Sequence, residues 1–514
     1  MRRCFTDAVL PLAGMILWAC SPARAADWPT WGGDGGNMVS AETGLPASFS
    51  TGDDTTDPPA PPSNVKWVAP LGSGTFGTPV VANGRVYIGT TNGPAVRTQE
   101  HPGEGGLLLC LDEATGKEIW QFFSPRRRDI ISFDHHSTGT CSTPTVDGDR
   151  VYLVTNRDEV VCLSTTPLTG KNEGSFTDEA QYYAGPGKPP VKLKPTDADI
   201  LWYYDMATEV DVVPHDASCS SCLILGDYLY VCTANGCGWE EQKPNPKAPN
   251  LIVLNKRTGK LVARDKILMT PRLFHGQWAC PTTGVVNGRR LIFWGGGDGV
   301  CYAFDPTPAF EPGAKVGTLT VVWSCAVNPK LKKDADGVRG PGKNPRGMSE
   351  IIGAPVFVDN RIYVGVGHDP SRKILPGAFE CIDATKTGDV TETGKIWLND
   401  SLMKSLSTAA VTDGLVFTAD LNAVLYCIDA ATGQICWTYE MRGQIPGSPL
   451  VADGRVYCCD THAHVAVLKA SKEKQLLGEY ALKGGQIWST PVAANGTLYI
   501  ATLQHLYALQ KKAK

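Results

Sequence analysis

The fold of this chain is decided by one phrase that the chain repeats. Leu109 to Trp120 reads LCLDEATGKEIW, and Tyr426 to Trp437 reads YCIDAATGQICW. Each copy contains a strand of alternating apolar residues, an Asp-x-x-Thr-Gly turn and a second strand that ends in Trp, which is the pattern of a β-hairpin. Because the same hairpin returns far along the chain, the phrase predicts a repeat architecture.

The unit around this phrase contains four strands. An inner strand, typified by GSPLV at 447–451, precedes a second strand that begins at Arg455, and the repeated hairpin supplies the third and outer strands. The inner-strand phrase starts at eight places: Gly77, Ser142, Ser221, Cys280, Gly353, Ser407, Gly447 and Ser489. Four-stranded units repeated radially form a β-propeller. We therefore predict an all-β protein with an eight-bladed propeller.

The two ends of the array predict how the ring closes. The last unit ends at 506–509 without an outer strand, whereas NVKWVA at 64–69 matches the outer-strand pattern. An N-terminal strand that completes the last blade leaves no open sheet edge. The resulting division is a signal peptide at 1–25, an N-terminal arm at 26–63, the propeller at 64–510 and a C-terminal tail at 511–514. Insertions at 165–199, 239–250 and 328–350 are expected to be surface loops.

The first residues predict export. Arg2 and Arg3 precede an apolar stretch at 8–20, and Ala23-Arg24-Ala25 is an Ala-x-Ala cleavage site. The segment LWAC at 17–20 also loosely resembles a lipoprotein cleavage box, and RRCF at 2–5 a twin-arginine signal. We expect a periplasmic or secreted protein, with membrane attachment only through a lipid anchor of the outer-membrane lipoprotein kind. The net charge of -4 supplies no basic field, so nucleic acid is not an expected partner.

The units resemble the repeats of the PQQ-like (pyrroloquinoline-quinone-type) propeller family. The opening segment WPTWGGD at 28–34 is also similar to that family, and the resemblance covers nearly all of the mature chain. The family contains quinoprotein alcohol dehydrogenases and also non-catalytic propellers, including the lipoprotein of the outer-membrane β-barrel assembly machine. Because both groups have the repeat phrase, it indicates the fold and assigns no chemistry. HGQW at 275–278, GGGD at 295–298 and GHDP at 367–370 resemble uncharacterised exported members.

One face of the predicted propeller collects the histidines. The loops before inner strands and the loops between second and third strands open on the same face, and all nine histidines fall in them. Loops on a rigid scaffold commonly carry function, so this face is the predicted ligand face. Its candidate residues are His135, His136, His215, His275, Gln277, Trp278, Asp298, Arg346, Glu350, His368, Asp369, Asp460 and His462. A metal site on this face stays open, because neutral imidazole is a common ligand.

The seventeen cysteines fall into groups with different expected roles. Four of them occupy a small, apolar third-strand column and are expected to act as small hydrophobes: Cys110, Cys162, Cys381 and Cys427. A second group could form a metal or redox cluster, or pack with a local disulfide: Cys219, Cys222, Cys232 and Cys237. Cys458 and Cys459 could form a disulfide between neighbours, as some quinoprotein dehydrogenases have beside the cofactor, although strand neighbours point to opposite faces.

Three functions are consistent with the sequence. The first is a non-catalytic binding or scaffold module for a protein, a peptide or a small ligand. Such a module could act in the assembly of envelope or outer-membrane proteins, and no cofactor is expected for it. The second, implied by the resemblance, is a PQQ-dependent alcohol or sugar dehydrogenase, with PQQ and calcium held by carboxylates, amides and cations. No ordered run of the sequence matches the family's calcium and base pattern. The third is a carbohydrate binder with Trp239, Trp278 and Trp294 as stacking platforms.

Overall fold

Eight four-stranded units surround one axis in the computed structural model, which confirms the predicted propeller. The structure describes residues 26–33, 35–52, 60–92, 103–127, 138–169, 172–237, 245–273, 275–328, 332–333, 339–340, 350–367 and 376–512. The signal peptide predicted at 1–25 therefore lies outside the described residues. Within the described residues, no helix is both long and apolar enough to cross a bilayer.

The blades are numbered along the chain, and the strands of each are called inner, second, third and outer. Blades 1 to 4 consist, in that order, of Val80–Ala82, Arg85–Thr91, Gly105–Asp112 and Glu118–Pro125; Thr145–Asp147, Arg150–Val154, Glu159–Pro167 and Ala198–Asp205; Leu223–Leu225, Tyr228–Cys232, Leu251–Asn255 and Leu261–Arg264; Thr282–Val286, Arg289–Gly295, Val300–Phe304 and Val321–Ala326. Blades 5 to 8 consist of Val356–Val358, Arg361–Val366, Ala378–Asp383 and Lys395–Asn399; Ala410–Thr412, Leu415–Ala419, Val424–Asp429 and Ile435–Glu440; Leu450–Ala452, Arg455–Cys459, His464–Lys469 and Leu476–Ala481; Val492–Ala494, Thr497–Ala501, His505–Leu509 and Val65–Pro70.

A few short elements decorate the blades. They are the helices Glu179–Ala184 and Met206–Glu209, the 3-10 helix Thr270–Arg272, the extra edge strands Gly317–Thr318 and Gly388–Asp389, and the hairpin Lys332–Lys333 with Arg339–Gly340. The insertion at 165–199 is not only a surface loop, because its helix buries Tyr182 and Tyr183 against Phe122 of blade 1. Aromatic side chains of this size favour burial when a neighbouring sheet offers an apolar face.

The N-terminal strand completes the last blade, as predicted. Val65–Pro70 pairs antiparallel with His505–Leu509, and Trp67 lies opposite Ala508. The outer edge of blade 8 is therefore made from the start of the chain, so the two ends of the array close the ring together.

The outer-strand Trp packs against the hairpin turn of the next blade at several joints of the ring. The indole Nε1 of Trp67 donates to the carbonyl oxygen of Glu113 at 3.0 Å, in the turn of the neighbouring blade. Gly116 in that turn has a φ of 71°, and a Cβ there would lie 2.6 Å from Trp67 Cδ2. The Trp202 ring approaches Gly259, and the Trp397 ring Gly433, in the same way. The Gly of the phrase therefore supplies both the left-handed turn and the surface on which the Trp packs.

Each residue of the third-strand column lies between a residue of the second strand and a residue of the outer strand. Cys110 pairs with Tyr87 on one side and Trp120 on the other, and Cys427 pairs with Phe417 and Trp437. All eight members of the column are fully buried: Cys110, Cys162, Val253, Ala303, Cys381, Cys427, Val467 and Ala508. At Cys110 and Cys427, a small side chain leaves room for the two flanking aromatic rings, which explains why a thiol fits there.

A chain of hydrogen bonds ties the inner strands together around the axis. Each bond joins a backbone N–H to a hydroxyl oxygen of the next blade, at 2.8 to 3.4 Å. The donors are Ala354, Thr408, Ser448, Thr490 and Thr78. Because the chain of bonds crosses from blade 8 to blade 1, the ring is closed at the axis as well as at its rim.

Candidate binding face and central cavity

The segments that lead into the inner strands line a cavity of about 490 Å³ at the axis, called the central cavity. Each blade contributes the residue that stands six positions before the last residue of its inner strand, as Phe76 stands before Ala82. In blade order these residues are Phe76, Cys141, Cys219, Cys280, Ile352, Leu406, Pro446 and Trp488. The wall is therefore built by the repeat itself, with one side chain from every blade.

The wall of the central cavity differs from one side to the other. Phe76 and Trp488 form an edge-to-face pair with ring centroids 5.6 Å apart, where blades 1 and 8 meet. Thiols line the wall from blade 2 to blade 4, and aliphatic side chains line it from blade 5 to blade 7. Asp216 is the one charged side chain among the described lining residues. The lining is thus mainly apolar, which is typical of pockets that bind ligands with a few orienting polar groups.

The N-terminal arm closes one end of the central cavity. Trp28 exchanges two backbone hydrogen bonds with Val81 of blade 1, at 2.8 and 2.9 Å. Farther along, the Asn37 amide side chain exchanges two hydrogen bonds with the Val411 backbone of blade 6, both at 2.9 Å. Between these contacts, the carbonyl oxygen of Pro29 accepts from the backbone N–H of Val146 of blade 2 at 2.8 Å. Since blades 2 and 6 lie on opposite sides of the eight-bladed ring, the arm crosses the axis.

Trp31 lies in the middle of this crossing and lines the central cavity from the arm. Its indole Nε1 is buried and has no hydrogen-bond partner among the described residues. A buried N–H donor without a partner costs free energy.

The predicted HGQW segment forms a cluster beside the cavity. The Nδ1 atom of His215 faces the carbonyl oxygen of Cys237 at 2.7 Å, and its Nε2 faces Nδ1 of His275 at 3.1 Å. A carbonyl can only accept, so Nδ1 of His215 carries a proton. Gln277 is fully buried and donates to the carbonyl oxygen of Asn235 at 2.7 Å. Trp278 is half-buried and lines the central cavity.

The predicted carboxylates Asp298 and Asp460 hold turns and do not line the central cavity. Asp298 accepts from Arg272 Nη2 at 2.9 Å and from the Tyr302 hydroxyl at 2.8 Å. Burial raises the pKa of Asp298, against the opposing effect of Arg272. Asp460 accepts from the backbone N–H of His462 at 2.8 Å and from three other backbone N–H groups. Both carboxylates are fully buried, so their contacts stabilise loops of the candidate face.

The other predicted residues are dispersed. Glu350 is buried, and its backbone exchanges two hydrogen bonds with Gly367. His462 is exposed in a turn of blade 7. The residues that lie outside the described part of the chain are His135, His136, Arg346, His368, Asp369 and Trp239. Trp294 is fully buried and donates to the carbonyl oxygen of Ala279 at 3.2 Å, so its expected role as a carbohydrate platform is wrong. No group of three or more His, Cys, Asp or Glu side chains within the described ranges could hold a metal ion.

The cysteines named from the sequence are separate thiols in the structure. Cys458 and Cys459 are buried on a second strand, where neighbours point to opposite faces. Cys232 and Cys237 each point to a backbone carbonyl oxygen at 3.6 Å. The Cys219 sulfur lies 2.8 Å from the sulfur of Cys141, a residue of the cavity wall that the sequence did not single out.

Asp158 positions the segment that carries Cys219. It lies between the second and third strands of blade 2, and its Oδ1 accepts from the hydroxyl of Ser218. The carboxyl is fully buried, and burial raises its pKa from 3.8 to about 8, against the opposing effect of the Ser218 hydrogen bond. The folded protein therefore binds a proton there at neutral pH, where a carboxyl in the unfolded chain has lost it.

Asp158→Asn is expected to flatten the pH dependence of stability. A raised folded-state pKa makes the free energy of unfolding fall as pH rises from about 4 to about 8. Asparagine stays neutral, tolerates the positive φ of 59° and can still accept from Ser218. Over this range the wild type should lose at least about 1.4 kcal/mol more than the variant, the equivalent of one pKa unit. Urea-induced unfolding at both ends of the range measures this difference, and identical slopes would contradict the buried protonated carboxyl.

The sequence matches the model of a known protein family. The model of a family described as outer membrane protein assembly factor BamB matches residues 103–306 and 386–496, which is more than half of the chain. The chain belongs to this PQQ-like propeller family. No curated protein matches the sequence.

Comparison with solved structures gives three examples, all with low sequence identity. BamB from Moraxella catarrhalis is 14% identical, with 87% of this chain and 94% of that chain covered and a TM-score of 0.49. The quinohemoprotein alcohol dehydrogenase from Comamonas testosteroni is 14% identical, with 96% and 82% covered and a TM-score of 0.50. The computationally designed Ika8 protein is 10% identical, with 92% and 99% covered and a TM-score of 0.47.

The described cavity of this PQQ-like propeller does not fit PQQ and calcium. PQQ carries carboxylates that need cationic partners, yet the described lining contains no Lys or Arg. Calcium requires six to eight oxygen ligands, whereas Asp216 is the one carboxylate of that lining. The described lining residues therefore support no catalytic step through PQQ.

Proposed function

We propose that this PQQ-like propeller is a non-catalytic binding module of the cell envelope that holds an apolar segment of a protein partner in its central cavity. The observation that carries the proposal is the cavity wall, where every blade contributes one side chain and aromatic, thiol and aliphatic groups dominate. The family description, an outer membrane protein assembly factor, supports a protein partner and an envelope location.

The size of the central cavity suits a few side chains. Its volume of about 490 Å³ lies within the range of small-ligand pockets, roughly 300 to 1,000 Å³. A folded domain cannot enter such a space, but two or three apolar side chains of a loop or an extended segment can. Binding energy in protein interfaces concentrates on aromatic groups in a central pocket, and Phe76, Trp278 and Trp488 are half-buried there.

The position of the arm indicates the end from which a partner would enter the central cavity. Because the arm crosses the ends of the inner strands, a partner must enter from the opposite end, where the loops before the inner strands lie. That end belongs to the face on which the sequence placed the histidines. The partner would therefore contact the HGQW cluster while its apolar side chains occupy the cavity.

Site-specific photo-crosslinking in the native cell envelope tests the proposal. A photoreactive phenylalanine analogue placed at Trp488 or at Phe76 should give one discrete protein adduct. The matched control is Leu476, which is 45% exposed on the outer strand of blade 7, away from the cavity. Adducts of equal yield from Leu476, or none from the cavity positions, would contradict a partner in the cavity. Dye-linked alcohol oxidation after addition of PQQ and calcium would contradict the non-catalytic role.

A further inference from the structure

We propose that Cys141 and Cys219 form a disulfide that joins blades 2 and 3 on the wall of the central cavity. Their sulfur atoms are 2.8 Å apart, which is inside the contact distance of two sulfur atoms that are not bonded to each other. The proposal goes beyond the binding role and does not depend on it.

The repeat geometry brings the two thiols together. Cys141 and Cys219 occupy the same position in neighbouring blades, six residues before the ends of their inner strands, and both line the central cavity. The Cys141 thiol also points to the carbonyl oxygen of Ser218 at 3.6 Å, next to Cys219 in the chain. The hydrogen bond from the Ser218 hydroxyl to Asp158 fixes the residue next to Cys219, which keeps Cys219 in place beside Cys141.

The pair can be reached by a reagent, unlike the other cysteines of these blades. Cys219 is half-buried and Cys141 is 7% exposed, and both face the cavity. Cys162 and Cys232 are fully buried in the blades. Cys280 holds the equivalent wall position in blade 4, and it accepts the backbone N–H of Ser221 at 3.2 Å. It is therefore a natural control thiol on the same wall.

The reaction is ordinary thiol–disulfide exchange. One thiolate attacks a sulfur of a low-molecular-weight disulfide and releases one thiol; the second thiolate then attacks the mixed disulfide and releases the other. The two cysteines lose two protons and two electrons, and the disulfide reagent is reduced to two thiols. A disulfide formed in this way persists in oxidising compartments outside the cytoplasm.

Peptide mapping of the mature chain tests the inference. The protein is incubated with oxidised glutathione, alkylated without reduction, digested and analysed by mass spectrometry. The expected product is one cross-linked peptide pair containing Cys141 and Cys219, two hydrogens lighter than the thiol pair and lost after reduction. Alkylation of both residues in the oxidised wild type would overturn the inference, and so would a bond from Cys219 to Cys222 or Cys280.

Variants separate the pair from its neighbours. In Cys141→Ser, the thiol of Cys219 should become fully alkylated, and in Cys219→Ser the thiol of Cys141 should do so. Cys280→Ser should leave the cross-linked peptide unchanged. Loss of the cross-link in Cys280→Ser, in protein with an unchanged circular dichroism spectrum, would overturn the assignment to Cys141 and Cys219.

Discussion

Trp67→Ala is expected to lower the free energy of unfolding by about 3–5 kcal/mol, the usual cost of truncating a buried aromatic side chain. Trp67 is 9% exposed, its Nε1 donates to the carbonyl oxygen of Glu113, and its ring lies 5.9 Å from that of Tyr499. The Tyr499 hydroxyl in turn donates to Glu113 at 3.2 Å, so one side chain joins the N-terminal strand, blade 1 and blade 8. Urea-induced unfolding measures the loss.

The control for this variant is Phe310→Ala. Phe310 is an aromatic side chain that is 52% exposed, so its truncation should change the free energy of unfolding by less than about 0.5 kcal/mol. If Trp67→Ala cost no more than Phe310→Ala, the N-terminal strand would not be what closes the ring.

Gly36→Val should displace the N-terminal arm from the end of the central cavity that the arm closes. Gly36 has a φ of 79°, and an added Cβ would overlap Cγ2 of Thr282. Thr282 cannot easily turn away, because its hydroxyl donates to the carbonyl oxygen of Pro355 at 2.6 Å. The strained backbone costs about 1–3 kcal/mol and the overpacking a further 1–3 kcal/mol.

Limited proteolysis reports the position of the arm, since a displaced segment is cleaved before the blades are. The matched control is Gly44→Val, because Gly44 lies in the same arm with a φ of 72° and has no atom within 4 Å of an added Cβ. Gly36→Val should be cleaved within the arm much faster than Gly44→Val. Equal cleavage rates would show that the arm does not depend on this contact.

The fold could be predicted from the sequence because the residues that specify it are local. The Asp-x-x-Thr-Gly turn needs a glycine at positive φ, and the outer-strand Trp of the preceding blade packs on that glycine where Trp67 meets Gly116 and Trp397 meets Gly433. The completion of blade 8 by the N-terminal strand was predictable for the same reason, since Trp67 is an outer-strand Trp without the three strands that normally precede it.

The candidate site was less predictable, because it depends on register. The inner-strand phrase predicts starts at Ser221 in blade 3 and at Cys280 in blade 4, whereas Ser220 and Pro281 match the position of Gly77 relative to the strand ends. A slip of one residue exchanges the two faces of a strand, so the predicted starts in those two blades do not indicate which side chain lines the cavity. The correct register places Cys141, Cys219 and Cys280 in one column.

The arm was a second source of difficulty. Residues 26–63 have no periodic sequence pattern, and the described part of the arm forms few regular pairs. Its path across the axis therefore arises from long-range contacts such as Asn37 with Val411. Trp31 belongs to the segment at 28–34 that resembles the family, but its position at the end of the central cavity depends on the path of the arm. The histidine face was predicted as a set of loops, and the cavity within it was not.

The affinity of the cross-linked partner segment for the purified propeller tests the central claim most directly. The segment that reacts at Trp488 is made as a peptide and titrated against the wild type, Trp488→Ala and the control Leu476→Ala. If the central cavity holds the apolar side chains of the segment, Trp488→Ala should lower the binding free energy by about 2 kcal/mol, which raises the dissociation constant roughly thirtyfold. Leu476→Ala should leave the dissociation constant unchanged. Equal affinities for the wild type and Trp488→Ala would contradict the account.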